Sequence, residues 1–289
     1  MTQIDPRFDR SERLFGREGQ ETLRRAGLLV VGAGGLGSPV IQHLALNGVG
    51  KISVVDHQEL SRSNRNRYVG AGHDDPIPGS AKVEIARRLI RLIDPSIEVH
   101  AIKAPFPSPD GLAALKAANY VMGCVDHDGI RFILNEACLA YRKPLFDLAS
   151  DVPEPGIYGG RVTVVWNNGF CLHCREVLTR EDVRAFLSTD EILENEAHVY
   201  GVHRSVLGET GPSVSPINGV VASLGMTELM VGVTGLRPPY PHLEYRAHLG
   251  TVNKCADPQP TDCYYCRVVA GQGDNANIER YFDLIRTED

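Results

Sequence analysis

The fold is decided by residues 28–56, which read LLVVGAGGLGSPVIQHLALNGVGKISVVD. A short apolar run, a glycine cluster, a helical pattern and a second apolar run ending on Asp56 predict a strand, a tight turn, a helix and a strand. Glycine lets a backbone approach a phosphate closely, and a helix N-terminus offers unpaired N–H groups. We therefore predict a nucleotide site with Asp56 beside a ribose hydroxyl. The glycines that would line this site are Gly32, Gly34, Gly35 and Gly37.

Apolar runs continue to alternate with helical patterns as far as about residue 150. Runs over 97–102, 120–125 and 144–149 predict three further strands, and a helix over 80–93 is expected to bury Leu92 on its apolar face. Such alternation predicts an α/β fold with a Rossmann-like, doubly wound and mostly parallel sheet, covered by helices on both faces.

The pattern then becomes antiparallel. A β-rich run over 161–166, a turn at 168–169 and a return at 170–171 predict a hairpin. A helix rich in small residues over 216–233 and a single strand over 242–252 are expected to follow. The sequence therefore predicts that the parallel sheet carries an antiparallel extension.

We expect the 289 residues to form one domain, because this length suits one large α/β core. Four parts are predicted. A helical arm over 1–27 would contain a surface helix over about 11–25, with Gly27 just past its end, and the nucleotide-binding core would cover 28–150. An antiparallel extension with a crossover loop and two cysteine pairs would cover 151–270, and a polar, peripheral tail would cover 271–289.

Composition argues against several classes of partner. The formal net charge of −6 and the pI of about 5.9 give no general attraction to nucleic acid. Residues 1–15 lack the apolar core of a secretory signal. The most apolar later stretch, 220–236, contains Glu228 and looks too short and interrupted to span a bilayer. We therefore expect a cytoplasmic protein that binds neither nucleic acid nor membrane.

Four of the seven cysteines form two C-x-x-C pairs: Cys171 with Cys174, and Cys263 with Cys266. Two such pairs suit a tetrahedral structural Zn²⁺ site, although a redox pair or free thiols are alternatives. Cys255 follows Lys254, and exposure beside that cation would favour a reactive thiolate.

A long polar loop over 58–78 follows the strand that ends on Asp56. By composition it could be a solvated loop, but its position would let Asn64 and Arg67 reach phosphate oxygens. Lys82 is predicted in the first turn of the next helix, where a cation fits best if an anion lies nearby. Asp126 follows a strand and could either cap the next helix or hold Mg²⁺ on a triphosphate.

Together these residues resemble the ThiF/MoeB/HesA adenylyltransferases, which are relatives of the ubiquitin-activating enzymes. The resemblance runs from Arg7 to about Cys266. The motifs that carry it are Arg7-Phe8-Asp9-Arg10, the Gly-Ala-Gly-Gly-Leu-Gly turn, Asp56, Ser63-Asn64-x-x-Arg67, Lys82, Asp126 and both C-x-x-C pairs.

The resemblance implies ATP chemistry. In this family, the C-terminal glycine carboxylate of a small ubiquitin-like or sulfur-carrier protein attacks the α-phosphate of MgATP, which gives an acyl-adenylate and pyrophosphate. By analogy, Asp126 would lie near Mg²⁺, and Arg10 would reach into the active site of a neighbouring subunit, which implies a homodimer. The residues that would hold the triphosphate are Ser63, Asn64, Arg67 and Lys82.

Three departures from the family pattern are visible. Arg65 stands where leucine is usual, and Gly123 stands where some members have an extra carboxylate. No cysteine occurs between Cys174 and Pro212, the region in which thioester- or persulfide-forming members keep a reactive thiol. We therefore predict adenylation without a covalent thioester on that loop.

Other functions remain open at this point. Within the family, the chain could adenylate another carboxylate, such as a peptide C-terminus, or a tRNA base, although its acidic balance argues against tRNA. An NAD-dependent oxidoreductase and a non-catalytic partner subunit are alternatives from other classes.

Overall fold

A computed structural model describes residues 5–167, 170–188, 213–256 and 262–284. Its centre is one eight-stranded sheet with the order β3-β2-β1-β4-β5-β6-β7-β8. The strands are β1 (Gly27–Val31), β2 (Lys51–Val55), β3 (Glu98–Ile102), β4 (Tyr120–Gly123), β5 (Leu145–Glu154), β6 (Ile157–Val165), β7 (His242–Arg246) and β8 (Thr251–Lys254). β1 to β5 pair in parallel, and β5 to β8 pair antiparallel.

Helices cover both faces of this sheet. β1 shows why, because Leu28 and Val30 enter the core on one face while Leu29 and Val31 enter the core on the other. The prediction of a doubly wound α/β fold with an antiparallel extension is confirmed. The helices are α1 (Asp9–Arg25), α2 (Gly37–Leu46), α3 (Lys82–Ile93), α4 (Pro109–Ala117), α5 (Asp128–Ala140), α6 (Arg180–Leu187) and α7 (Ser215–Thr234).

The antiparallel half differs from the prediction in two places. β6 pairs with β5 and β7, so the expected return strand at 170–171 is wrong, and its predicted turn at 168–169 lies outside the described residues. The single strand predicted over 242–252 is in fact two strands, β7 and β8, that pair with each other. They reverse at Gly250, whose φ of 68° suits glycine.

α7 is long and apolar enough to pass for a membrane span by length and composition, which corrects the expectation from sequence. Half of its most apolar window is buried inside the protein, where the helix packs on α1, α2 and β5. Its buried Glu228 accepts two hydrogen bonds from Arg237, each of 2.7 Å. These contacts are those of a core helix.

One predicted helix end agrees with the structure and one predicted apolar face does not. α1 ends at Arg25, as expected, and Gly27 follows just past its end as the first residue of β1, where its N–H donates to Asn119 Oδ1 (2.7 Å). On α3, Leu92 is 78% exposed and Ile90 is the fully buried residue, so the apolar face is rotated from the predicted one.

The C-terminal tail is not peripheral over the residues described. Ile278 and Tyr281 are buried against the core on the α5 face of the sheet. The hydroxyl of Tyr281 donates to Glu136 Oε2 (2.7 Å), and Arg280 pairs with the same carboxylate. This packing was not predicted from the sequence, because only a few apolar residues of the tail contact the core and the rest of the tail is polar.

Candidate active site

The glycine turn between β1 and α2 is closely packed on one side and open on the other. Gly32 has a φ of 88°, and a Cβ there would lie 2.7 Å from the Cys124 carbonyl oxygen. A Cβ on Gly37 would lie 1.9 Å from the Gly32 carbonyl oxygen. In contrast, no atom of the described residues lies within 4 Å of the Cβ position of Gly34. The turn therefore leaves backbone free at the start of α2, where a phosphate could approach.

This difference gives a matched pair of variants. We expect Gly37→Ala to lower the free energy of unfolding by about 1–3 kcal/mol, because the new methyl group overlaps backbone that has little room to move. Gly34→Ala is expected to change it by less than about 0.5 kcal/mol. Urea unfolding followed by circular dichroism measures both, and equal losses in the two variants would contradict this account of the turn.

Asp56 holds the glycine turn directly. Its Oδ2 accepts a hydrogen bond from the Ala33 N–H (2.7 Å), and its Oδ1 accepts one from the Gln58 N–H (2.8 Å). The side chain is buried at the end of β2. Its position at the carboxyl edge of the sheet is the one predicted, and ribose binding stays a prediction.

Lys82 is a buried cation at the start of α3. The residue is only 5% exposed, and its Nζ donates to Gln58 Oε1 (2.5 Å). No carboxylate forms a salt bridge with Lys82 in the part of the chain that the structure describes. Gln58 also connects this lysine to Asp56, since the Lys82 N–H donates to the Gln58 carbonyl. A buried ammonium group without a counter-ion is costly, so this position favours a bound anion.

The stem of Arg67 lies against the glycine turn, because a Cβ on Gly35 would lie 2.8 Å from both Cγ and Cδ of Arg67. Its guanidinium donates to the Ser63 carbonyl (2.6 Å). Ser63 and Asn64 lie in a single helical turn, in which Asn64 Oδ1 accepts from the Ser61 N–H (3.2 Å). The structure thus brings Arg67 to the glycine turn, while Asn64 is engaged in capping its own segment.

Asp126 is exposed and follows β4, and it forms no hydrogen bond or ion pair with other described residues. It is not a helix cap, because His127 occupies that position and its Nδ1 accepts from the Gly129 N–H (3.1 Å). Arg10 is exposed in the first turn of α1. A role for Arg10 in a neighbouring subunit remains a prediction.

The four paired cysteines meet although 92 residues separate the two C-x-x-C pairs. Their sulfur atoms all lie within 4.8 Å of one another, with three of the separations at 3.5, 3.6 and 3.9 Å. A tetrahedral site with Zn–S bonds of about 2.3 Å requires separations of about 3.8 Å. Burial raises the pKa of the Cys174 thiol to about 12, so metal binding would displace protons from this cluster. The donor set therefore fits zinc.

Cys255 does not have the surroundings predicted for it. Its sulfur is partly buried and faces Glu244 Oε2 at 4.0 Å. Burial, followed by the charge of Glu244, raises the pKa of the thiol, and Arg246 opposes this only in part. The expectation of a stabilised thiolate is therefore wrong.

The sequence of residues 8–268 matches the ThiF family. The chain belongs to the ThiF family. This confirms the resemblance derived from the motifs.

Among curated relatives, adenylyltransferase and sulfurtransferase MOCS3 of Drosophila yakuba is 33% identical over 161 residues, which are 55% of this chain and 34% of MOCS3. The sulfur carrier protein adenylyltransferase of Thermus thermophilus is 36% identical over 130 residues, 45% of this chain and 47% of that protein. The chain thus spans less than half the length of these two relatives.

Solved structures share the fold of this ThiF-family chain. E. coli MccB in a crystal structure with ATP has a TM-score of 0.72 at 18% identity, and the match covers 91% of this chain and 75% of MccB. PaaA has a TM-score of 0.64 at 19% identity, with 88% and 84% covered. At these identities the likeness shows the fold alone.

Two polar residues near the site were missed in the sequence. Asn218 on α7 is 1% exposed, and its Nδ2 lies 2.8 Å from the Cβ position of Gly35. Arg131 on α5 is buried in an ion pair with Asp147. The helix predictions rested only on the apolar residues of these two helices. The signal that could have identified both residues is a polar side chain on a helix face that is otherwise apolar.

Gly123 has no room for a carboxylate, since its Cβ position lies 3.3 Å from Asp147 Oδ1.

Proposed function

We propose that this ThiF-family chain is an ATP-dependent adenylyltransferase that activates the C-terminal carboxylate of a small ubiquitin-like or sulfur-carrier protein. The observation that carries the proposal is the ammonium of Lys82, which is buried and has no carboxylate partner in the part of the chain that the structure covers. Hydrogen bonds through Gln58 and Asp56 connect Lys82 to the open glycine turn. Arg67 lies against the same turn. Two cations therefore flank backbone N–H groups, and this arrangement suits binding of a triphosphate. It gives no support to the alternative of an NAD-dependent oxidoreductase, which would need a site for a hydride acceptor.

The chemistry follows from these positions. A carboxylate oxygen would attack the α-phosphorus, and pyrophosphate would leave as the bond to the β-phosphate oxygen breaks. Lys82 and Arg67 would neutralise charge on the phosphate oxygens as the leaving group forms. The Asp126 carboxylate is exposed and has no ion-pair partner among the residues that the structure places, which fits a hard cation, so this residue would hold Mg²⁺, which supplies further charge neutralisation.

We further propose a homodimer that shares its active sites. A groove of about 490 Å³ lies between α2 and α7 and reaches Gly35 and Arg67. α1, which carries the exposed Arg10, packs on α7 of its own subunit. We propose that a second copy occupies this groove with its own Arg10 near the glycine turn, which is the arrangement that the Arg10 analogy requires.

Pyrophosphate exchange tests the proposed reaction. Incubation with ATP, Mg²⁺, labelled pyrophosphate and a small protein ending in Gly-Gly is expected to return label to ATP without a nicotinamide cofactor. The same protein without its last two residues should give no exchange. A free peptide ending in Gly-Gly separates activation of a folded carrier from activation of a peptide C-terminus.

Arg67→Ala is expected to lower this exchange by about 100-fold or more, because it removes a cation at the phosphates. Arg62→Ala is the matched control, since Arg62 belongs to the same loop but has no contact with the glycine turn among the described residues. Exchange that survives Arg67→Ala at the control level would overturn the site assignment.

A further inference from the structure

A buried ion network lies behind the loop that carries Asp126. Arg131 on α5 pairs with Asp147 on β5, with 2.7 Å between Nη1 and Oδ1, and Asp147 is completely buried. On its other side, Asp147 Oδ2 lies 3.7 Å from Nη1 of Arg161 on β6. A buried ion pair is often no more stabilising than apolar residues of the same size. The role of Arg131 is therefore to be found in its other hydrogen bonds, which go to backbone carbonyl groups.

The guanidinium of Arg131 holds the backbone around Asp126. Its Nη2 donates to the carbonyl of Val125, which immediately precedes Asp126. Its Nε lies 3.5 Å from an oxygen of Asp128, two residues beyond. Nη1 also donates to the Leu148 carbonyl on β5 (2.9 Å). One planar group thus connects the loop on both sides of Asp126 to the neighbouring strand.

The opposite side of this loop rests on the glycine turn. The Cβ position of Gly32 lies 2.7 Å from the Cys124 carbonyl oxygen and 3.2 Å from the Val125 nitrogen. The Cys124 N–H also donates to the Val31 carbonyl (2.8 Å). The backbone before Asp126 is therefore held between the glycine turn and Arg131, while the Asp126 side chain has no hydrogen-bond or ion-pair partner within the described ranges.

We propose that Arg131 is a positioning residue that fixes the Asp126 carboxylate for binding of a divalent cation beside the nucleotide. This inference rests on the proposed function. This role requires the planar guanidinium of an arginine, because different N–H groups of one plane donate to Asp147, Leu148 and Val125. A lysine can keep the ion pair with Asp147 but cannot hold all three positions.

The test compares Arg131→Lys with the matched variant Arg161→Lys, which changes the other partner of the same buried acid. The probe is Mn²⁺, titrated by electron paramagnetic resonance into protein saturated with α,β-methylene ATP. We expect Arg131→Lys to weaken Mn²⁺ binding about tenfold and to raise the half-saturating Mg²⁺ concentration for exchange by the same factor. Affinity for the analogue without metal should change by less than about twofold.

The outcomes separate a positioning role from a structural one. If Arg131→Lys lowers the melting temperature but leaves Mn²⁺ affinity unchanged, or if Arg161→Lys weakens Mn²⁺ binding equally, the proposal is overturned. If Arg131→Lys fails to fold, the double variant Arg131→Met with Asp147→Leu removes both charges and the donor to Val125 together, and the same tenfold loss is expected. Unchanged Mn²⁺ affinity in the double variant would also overturn the proposal.

Asp126→Asn distinguishes failure of this inference from failure of the proposed function. If Asp126→Asn retains full Mn²⁺ affinity, Asp126 is not the metal-binding residue and the site assignment fails with it. If Asp126→Asn loses Mn²⁺ binding while Arg131→Lys retains it, only the positioning role of Arg131 is wrong.

Discussion

Replacing Lys82 with methionine should lower pyrophosphate exchange by about 100-fold or more while leaving the fold at least as stable as before. The loss follows because methionine cannot neutralise phosphate charge. The gain follows because the lysine ammonium is buried and, among the described residues, has the Gln58 amide oxygen as its one hydrogen-bond partner. Methionine keeps the packing of the lysine stem, so we expect the free energy of unfolding to rise by about 1–3 kcal/mol.

This opposite response distinguishes a ligand-binding lysine from a structural one. Urea unfolding and exchange assays on the same preparation measure both quantities. Lys103→Met is the matched control, because Lys103 is exposed and pairs with Glu59, so neither quantity should change appreciably. A Lys82→Met protein that is markedly less stable would show that the ammonium stabilises the fold and would remove the central support for an anion site.

Changing Cys174 to serine should remove bound zinc and lower the free energy of unfolding by at least about 3 kcal/mol. Structural zinc contributes on the order of 10 kcal/mol of binding free energy in isolated zinc-finger peptides. Here the four sulfur atoms join the segment after β6 to the start of the Tyr265–Val269 helical turn. Loss of one sulfur would therefore release two parts of the chain from each other.

Elemental analysis should find one zinc per wild-type chain and less than a tenth of that in Cys174→Ser. Cys255→Ser is the matched control, since Cys255 lies outside the cluster and should leave zinc content and melting temperature unchanged. Full zinc content in Cys174→Ser, or a wild-type protein that holds no zinc, would contradict the assignment of the cluster.

The site residues that could be predicted are those whose role follows from the residues next to them in the sequence. Asp56 follows an apolar run, and the glycine cluster follows another, so the parallel pairing of β1 with β2 brings them to one edge. Cys171 and Cys174 could be paired by spacing alone. In both cases, the local pattern carried the information about the site.

Other features depend on contacts between distant segments, which periodicity does not encode. The exposure of Leu92 and the burial of Ile278 follow from which neighbours cover each helix face. The raised pKa of Cys255 comes from burial and from Glu244 on the adjacent strand β7, whereas the sequence displayed only Lys254 beside it. Strand pairing thus brings the acidic Glu244 to the thiol, and this spatial neighbour outweighs the basic sequence neighbour Lys254.

The sequence by itself determined the alternating α/β order, the glycine turn, the family motifs and the two cysteine pairs, because each is written in residues close together in the chain. Only the tertiary structure decided that, among the residues it describes, Lys82 is buried without a carboxylate partner and Asp126 has no hydrogen-bond or ion-pair partner, and that Arg131 holds the backbone beside Asp126. These properties are differences in burial and in hydrogen-bond partners across elements far apart in the chain. They exist only once the sheet has brought those elements together.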